Sequence, residues 1–283
     1  MNATAAWKNS TGAGVIVALV DSGVQANAAL TGPRLPAVDF TDSGTPETDD
    51  DQLLSHGTMM AALISGARGL PGLAPRATLM PLKAVTPSPK VTAQGDAEAI
   101  RYAADHGAKV LNLSFGLPGP LDPWQEAVRY ALSKDVVVVA AAGNSGAHHD
   151  PISYPAAYPG VLAVSATGPD GQLSPSSTWG PGVAISAPGA HMPLYSRGCT
   201  NSTTTFAVCM GDGGTSAATA YTSAAAALVR SAHPDWDARR VIAQLRYTAR
   251  PPHNDTERYG SGILAPDLAL TRPDSRDAGI DGY

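Results

Sequence analysis

Apolar residues in this chain gather in short unbroken runs instead of alternating with polar ones. The runs lie at 15–20, 79–85, 110–115, 136–142, 161–166 and 183–187. A continuous Val/Ile/Leu/Ala run of this length reads as a strand buried on both faces, the habit of a parallel sheet. Stretches of helical composition or periodicity, at 96–106, 123–133, 215–232 and 237–247, separate several of them. The alternation predicts an α/β architecture of three layers, a mostly parallel central sheet with helices on both faces. No internal repeat, low-complexity block or linker divides the pattern. Residues 1–283 are therefore expected to form one domain with its core over about 12–270, and the polar end TRPDSRDAGIDGY, 271–283, is expected to be mobile.

Composition narrows the function. With 283 residues, 43% hydrophobic and 15% charged, the chain can bury a substantial core. A net charge of −5 with scattered basic residues speaks against nucleic acid as a partner, because phosphate binding needs a basic face. The apolar runs are too short to span a bilayer, and no charged-then-apolar leader opens the chain.

Three places carry chemistry. The run VIVALVDSGV stops at Asp21, which puts a carboxylate at the carboxyl end of a buried strand, the edge where ligands of open α/β sheets gather. The stretch SHGTMMAALISG sets His56 at the start of a packed helix, whose positive end disfavours a protonated imidazole. In GDGGTSAATAYTSAAAALV a glycine-rich turn delivers Ser216 to the start of a long Ala-rich helix, beside free backbone N–H groups suited to a developing negative charge. Taken singly, each has a simpler reading: a turn residue, a packed surface histidine, and a helix cap. Together they are the side-chain types that acyl transfer by a serine requires.

With DSG, SHGT and GTSAA in the order Asp, His, Ser, the chain resembles the subtilisin-like serine proteases, the subtilases, over roughly residues 12–270. Further landmarks agree: VLNLSFG at 110–116, VVVVAAAGNSG at 136–146, SYPAAYPGVLAVSA at 153–166 and ISAPG at 185–189. The resemblance, to an actinobacterial type of bacterial member, implies the subtilisin-like three-layer fold and a serine endopeptidase. In that reading Ser216 attacks the peptide carbonyl, His56 accepts and returns the proton, and Asp21 holds the imidazole. Asn144 matches the residue whose side-chain amide completes an oxyanion hole with the Ser216 N–H. Loss of such a donor costs about 10² to 10³ in turnover, a figure whose reference case is itself a subtilase. Activity is expected to rise with pH as His56 becomes neutral, from a reference value of about 6.5.

The resemblance also implies a groove. Ser114, Phe115 and Gly116 match the segment that pairs with the substrate backbone as an added strand. Ala141, Ala142, Gly143 and the neighbourhood of Ser153 match the walls and floor of the primary specificity pocket, and their small size implies room for a large apolar or aromatic side chain. In PETDDDQLLSH, Asp50 or Asp51 either belongs to a solvated loop or adds a preference for a basic residue near the scissile bond. Cys199 and Cys209 suggest, in a secreted family, a disulfide-closed hairpin; a reduced pair is the alternative, and a metal site lacks further ligands. Reduction is expected to lower stability more than it alters chemistry. Members of the family are usually made with a secretion signal and an inhibitory N-terminal propeptide, neither visible here. The implied setting is secreted or extracytoplasmic, with a polypeptide substrate, no organic cofactor and a monomeric state.

Several positions depart from the family pattern. GTMMAA follows His56 where relatives usually carry a second His, and Ala220 and Tyr221 stand where a Pro and often a His follow the nucleophile. Without that Pro the helix after Ser216 is expected to lack its usual backbone disturbance. GVQANAALTG lacks the acidic residue that relatives use as a calcium ligand, and SGARGLPGLAP is short where the rest of that site lies, so no high-affinity calcium is expected there. A nucleotide fold is a poor match because the glycines of TGAGVIV precede the strand, and a lipase elbow would need glycine where Ala218 stands. Three alternatives stay open: a dedicated precursor-maturation protease, a peptide cyclase, or an inactive binding module of the same fold.

Overall fold

All six apolar runs become strands of a single sheet in the computed structural model, which describes residues 1–41, 43–45, 55–86, 93–146, 151–200, 204–251 and 255–275. They are β1 (Ile16–Asp21), β3 (Thr78–Lys83), β4 (Val110–Leu113), β5 (Val137–Ala141), β6 (Leu162–Thr167) and β7 (Ile185–Pro188). A two-residue strand, β2 (Val38–Asp39), too short to leave a pattern, adds the edge. The order is β2-β3-β1-β4-β5-β6-β7, with every neighbour parallel. The chain works on one side of β1 first and then crosses to β4 on the other. This reversal opens a crevice at the carboxyl ends of β1 and β4, where the sheet offers a ligand site.

Alternate side chains of each strand feed two cores. Val17 and Leu19 join the residues of α2 (His56–Ser65), α5 (Gly214–Ala232) and α6 (Ala238–Tyr247), while Ala18 and Val20 join those of α3 (Ala93–Asp105) and α4 (Asp122–Ser133). Among the described residues there are also the short α-helices α1 (Ala3–Ala6), α7 (Thr256–Tyr259) and α8 (Pro266–Thr271). Helix α5 is buried nearly all round, which its run of alanines allows, and it continues without a break through Ala220. The hydroxyls of Thr219 and Thr222 bond back to the carbonyls of Thr215 and Ala218 at 2.8 Å each, so these two buried hydroxyls are satisfied within the helix. Tyr221, in the place of the family's His, packs against the core beside these alanines, and burial pushes its phenol up to about 12, so it stays neutral.

Outside the main sheet, β8 (Met192–Ser196) and β9 (Ala207–Gly211) form an antiparallel ribbon closed by a disulfide between Cys199 and Cys209. The first residues of the polar end that starts at 271 make specific contacts. Asp274 pairs with Arg240, and the N–H of the fully buried Ser275 donates to Gln244 Oε1 at 2.8 Å. Helix α6 supplies both partners, which a local reading of a polar tail does not reveal. Residues 276–283, like Asp50 and Asp51, lie outside the described residues.

Candidate active site

Val20 pairs with Leu113 across β1 and β4, so Asp21 and Ser114 leave the sheet side by side at the crevice. Asp21 is 2% exposed. Its Oδ1 accepts from the N–H of Ser22 at 2.8 Å and from the Ser22 hydroxyl at 3.2 Å, and it lies 2.7 Å from Nδ1 of His56. A carboxylate only accepts, so Nδ1 carries the proton, and whenever the ring is neutral Nε2 is its basic nitrogen. Asp21 Oδ2 is buried with no partner among the described residues, so the bonding of this carboxylate converges on Oδ1.

His56 is the first residue of α2, and the next residue is pinned as well. The N–H of Gly57 donates to Ser22 Oγ at 3.0 Å, the hydroxyl that donates to Asp21. Any side chain at Gly57 would place its Cβ 2.1 Å from the carbonyl oxygen of Gly23. The helix start, the strand end and the carboxylate are thus locked into one unit.

Ser216 is the third residue of α5. The N–H groups of Gly213 and Gly214 donate to the Gly189 carbonyl at 2.8 and 2.9 Å, and that of Thr215 donates to Asn144 Oδ1 at 2.9 Å. The Ser216 N–H has no acceptor among the described residues, so the positive end of the helix is open there. The Thr215 hydroxyl divides between Asn144 Oδ1 at 3.1 Å and the Gly143 carbonyl at 3.2 Å. With Oδ1 held by these donors, the Asn144 carboxamide turns its two Nδ2 hydrogens the other way. Gly214 has φ +58°, and a Cβ there would lie 2.5 Å from Asn144 Oδ1, so only glycine permits this approach.

A polar chain in the core steadies the serine. Ser223 donates to Asn112 Oδ1 at 3.0 Å, Asn112 Nδ2 donates to Ser114 Oγ at 2.9 Å, and Ser114 Oγ donates to the Ser216 carbonyl at 3.0 Å. In return the Ser216 hydroxyl donates to the Ser114 carbonyl at 2.9 Å. In this resting arrangement the hydroxyl is turned to β4, and rotation about χ1 is what would present it elsewhere.

The residues expected to form the groove come together. Ser114 is buried, Phe115 half-buried and Gly116 exposed at the end of β4. Ser153 sits between the two walls: a Cβ on Gly116 would lie 2.8 Å from Ser153 Cβ, and one on Gly143 would lie 2.7 Å from Ser153 Oγ. The Ser153 N–H donates to the Ala142 carbonyl at 2.8 Å. Ala141 and Ala142 are buried, so they contribute backbone and lack of bulk rather than exposed side chains.

Ser22, Thr215, Asn112 and Ser223 were not singled out by sequence. Ser22 and Thr215 stand inside the DSG and GTS motifs, where their neighbours attract the assignment. Asn112 did carry a signal: a polar residue in a buried strand must find partners.

A carboxylate-paired imidazole and a serine at an open helix N-terminus, both at the carboxyl edge of a parallel α/β sheet, are the side-chain types that serine acyl transfer uses. The chain belongs to the subtilase family, whose model matches residues 12–262, and it is a serine endopeptidase of that family. It is 35% identical to subtilisin Savinase of Lederbergia lenta over 262 residues, 92% of this chain and 91% of that protein. It is also 35% identical to mycosin-3 of Mycobacterium tuberculosis (strain ATCC 25618 / H37Rv) over 345 aligned positions, 96% of this chain and 70% of that one. Among solved structures, the MycP3 protease from the type VII (ESX-3) secretion system superposes with a TM-score of 0.77 at 35% identity, covering 96% of this chain and 86% of that chain.

Proposed function

We propose that Ser216 is the nucleophile, His56 the general base and acid, Asp21 the group that orients the imidazole, and Asn144 with the Ser216 N–H the oxyanion hole. The observation that carries this reading is the 2.7 Å Asp21–His56 bond at the same sheet edge as a serine whose own N–H is unclaimed. Ser216 Oγ, released from the Ser114 carbonyl, bonds to the scissile carbonyl carbon as its proton passes to His56 Nε2. The electron pair pushed onto the carbonyl oxygen is met by Asn144 Nδ2 and the Ser216 N–H. Collapse of this intermediate breaks the C–N bond, and the proton on His56 leaves with the amine. Water then repeats the sequence on the ester, returning the acid product and the free serine. Protonation of His56 removes the base, so kcat/KM falls as pH is lowered through its titration.

The substrate is an extended polypeptide paired along Ser114, Phe115 and Gly116. Its side chain before the scissile bond enters between Gly116 and the Ala141–Gly143 wall, past Ser153. An open pocket walled by small residues suits a large apolar or aromatic group. We place the protein outside the cytoplasm, acting as a monomer after removal of an inhibitory propeptide. A second reading, a protease confined to one partner within a secretion system, draws on the likeness to mycosin-3 and MycP3.

Mass spectrometry of a peptide-library digest tests the proposal. Linear products ending in large apolar residues are expected at many sites. New amide bonds would make it a cyclase, and an uncut library beside a single cleaved protein would favour the second reading.

A further inference from the structure

Ser55, the residue before His56, is fully buried with φ 65° and ψ 42°, in the left-handed region that serine rarely occupies. A serine preceding a helix ordinarily has extended backbone and caps an amide of the first turn with its hydroxyl. Ser55 does neither. It caps no amide of α2, and its hydroxyl instead accepts a bond from Nε of Arg197, 142 residues further along the chain. Arg197 stands in a single 3₁₀ turn, Arg197–Cys199, at the end of β8, and is only 9% exposed. Its guanidinium lies 5.7 Å from the centre of the Phe206 ring, which stacks on Tyr195 at 5.3 Å. The disulfide fastens the same turn to β9. The arginine is therefore built into the ribbon, with its donor aimed at the residue that launches the imidazole.

We propose that Arg197 is a positioning residue for His56: its buried bond to Ser55 Oγ holds the left-handed backbone that directs the imidazole onto Asp21. The inference rests on the reading of His56 as the base. Ser22 fixes the helix side of the histidine through the Gly57 N–H, and Arg197 fixes the loop side through Ser55. A positioning role of this kind acts on turnover, because small misplacements of a reacting group cost rate and leave substrate affinity alone.

The test compares wild type with Arg197→Met, Arg197→Lys, Ser55→Ala and Ser55→Gly, reading kcat and KM on a peptide substrate and the NMR resonance of the His56 Nδ1 proton. Arg197→Met and Ser55→Ala are expected to lower kcat about tenfold with KM unchanged, and to shift or broaden that resonance. Ser55→Gly should recover part of kcat, because glycine adopts φ 65° without strain. Arg197→Lys should recover part of it as well, since an ammonium can still donate to Ser55. If Arg197→Met fails to fold, Ser55→Ala, which removes one oxygen atom, decides. An unchanged kcat and an unmoved resonance in Ser55→Ala overturn the proposal. The resonance reports the His56–Asp21 bond even in a chain that cuts nothing, so an inert wild type would count against the function while the resonance still judged the positioning.

Discussion

Helices α2 and α5 each carry a proposed reacting side chain in the first turn, His56 as first residue and Ser216 as third, but they use their leading amides differently. At α2 the Gly57 N–H is occupied by Ser22 Oγ, and the backbone ahead of it is a strained serine held by a buried arginine. At α5 glycines make the turn, Gly189 and Asn144 take the amides ahead of Ser216, and the Ser216 N–H stays open. One helix start is spent on orientation. The other keeps an amide open to an anion, and this is the difference that the proposed base and oxyanion hole require.

Removing Asn144 attacks the open end most directly. Asn144→Ala is expected to lower kcat by about 10² to 10³ with little change in KM, measured by steady-state kinetics. A change confined to KM would show that the amide binds substrate and does not serve the intermediate.

Asp96 sharpens the comparison because it lies across the sheet from both helices. It is 1% exposed, Trp124 Nε1 donates to its Oδ2 at 3.2 Å, and its Oδ1 is buried without a partner among the described residues. Burial, partly offset by the Trp124 bond, pushes its carboxyl from 3.8 up to about 7. The folded state therefore prefers the neutral form. The associated stability is complete below about pH 4, is lost as pH rises towards 7, and is flat above that. Asp96→Asn should raise stability above pH 7 by up to about 4 kcal/mol, with the gain vanishing near pH 4, in denaturant titrations at several pH values. If kcat follows the same curve, the two faces of the sheet are coupled and the helix starts do not act alone.

Reduction of the disulfide probes the support behind α2. Opening a bridge between residues 10 apart is expected to cost about 3 kcal/mol, read as a fall in Tm with reductant. Excess chelator, at the other extreme, is expected to leave Tm unchanged: the turn after α2 offers Ala67, Arg68, Gly69 and Leu70, closed by mutual bonds between Ala67 and Leu70, and no carboxylate for calcium. A large loss of stability would contradict this.

Much of the frame was legible because its signals are local. An apolar run ending in Asp21, a Ser-His-Gly turn and a Gly-Gly-Thr-Ser turn each announce a strand end or a helix start, and parallel order follows from the alternation of runs and helices. The strands came within a few residues of their observed limits. What stayed hidden was made by distant pairs. Nothing near Arg197 indicates Ser55, nothing in the tail indicates Gln244, and the two residues of β2 carry no period at all.

The central claim is that the Ser216 hydroxyl becomes a nucleophile at this edge. Treatment with a fluorophosphonate, followed by peptide mass mapping of the wild type and Ser216→Ala, tests it. The account predicts a single adduct on the peptide containing Ser216, absent from the mutant and weakened at low pH. Labelling that persists in Ser216→Ala, or an unlabelled wild type, would contradict it.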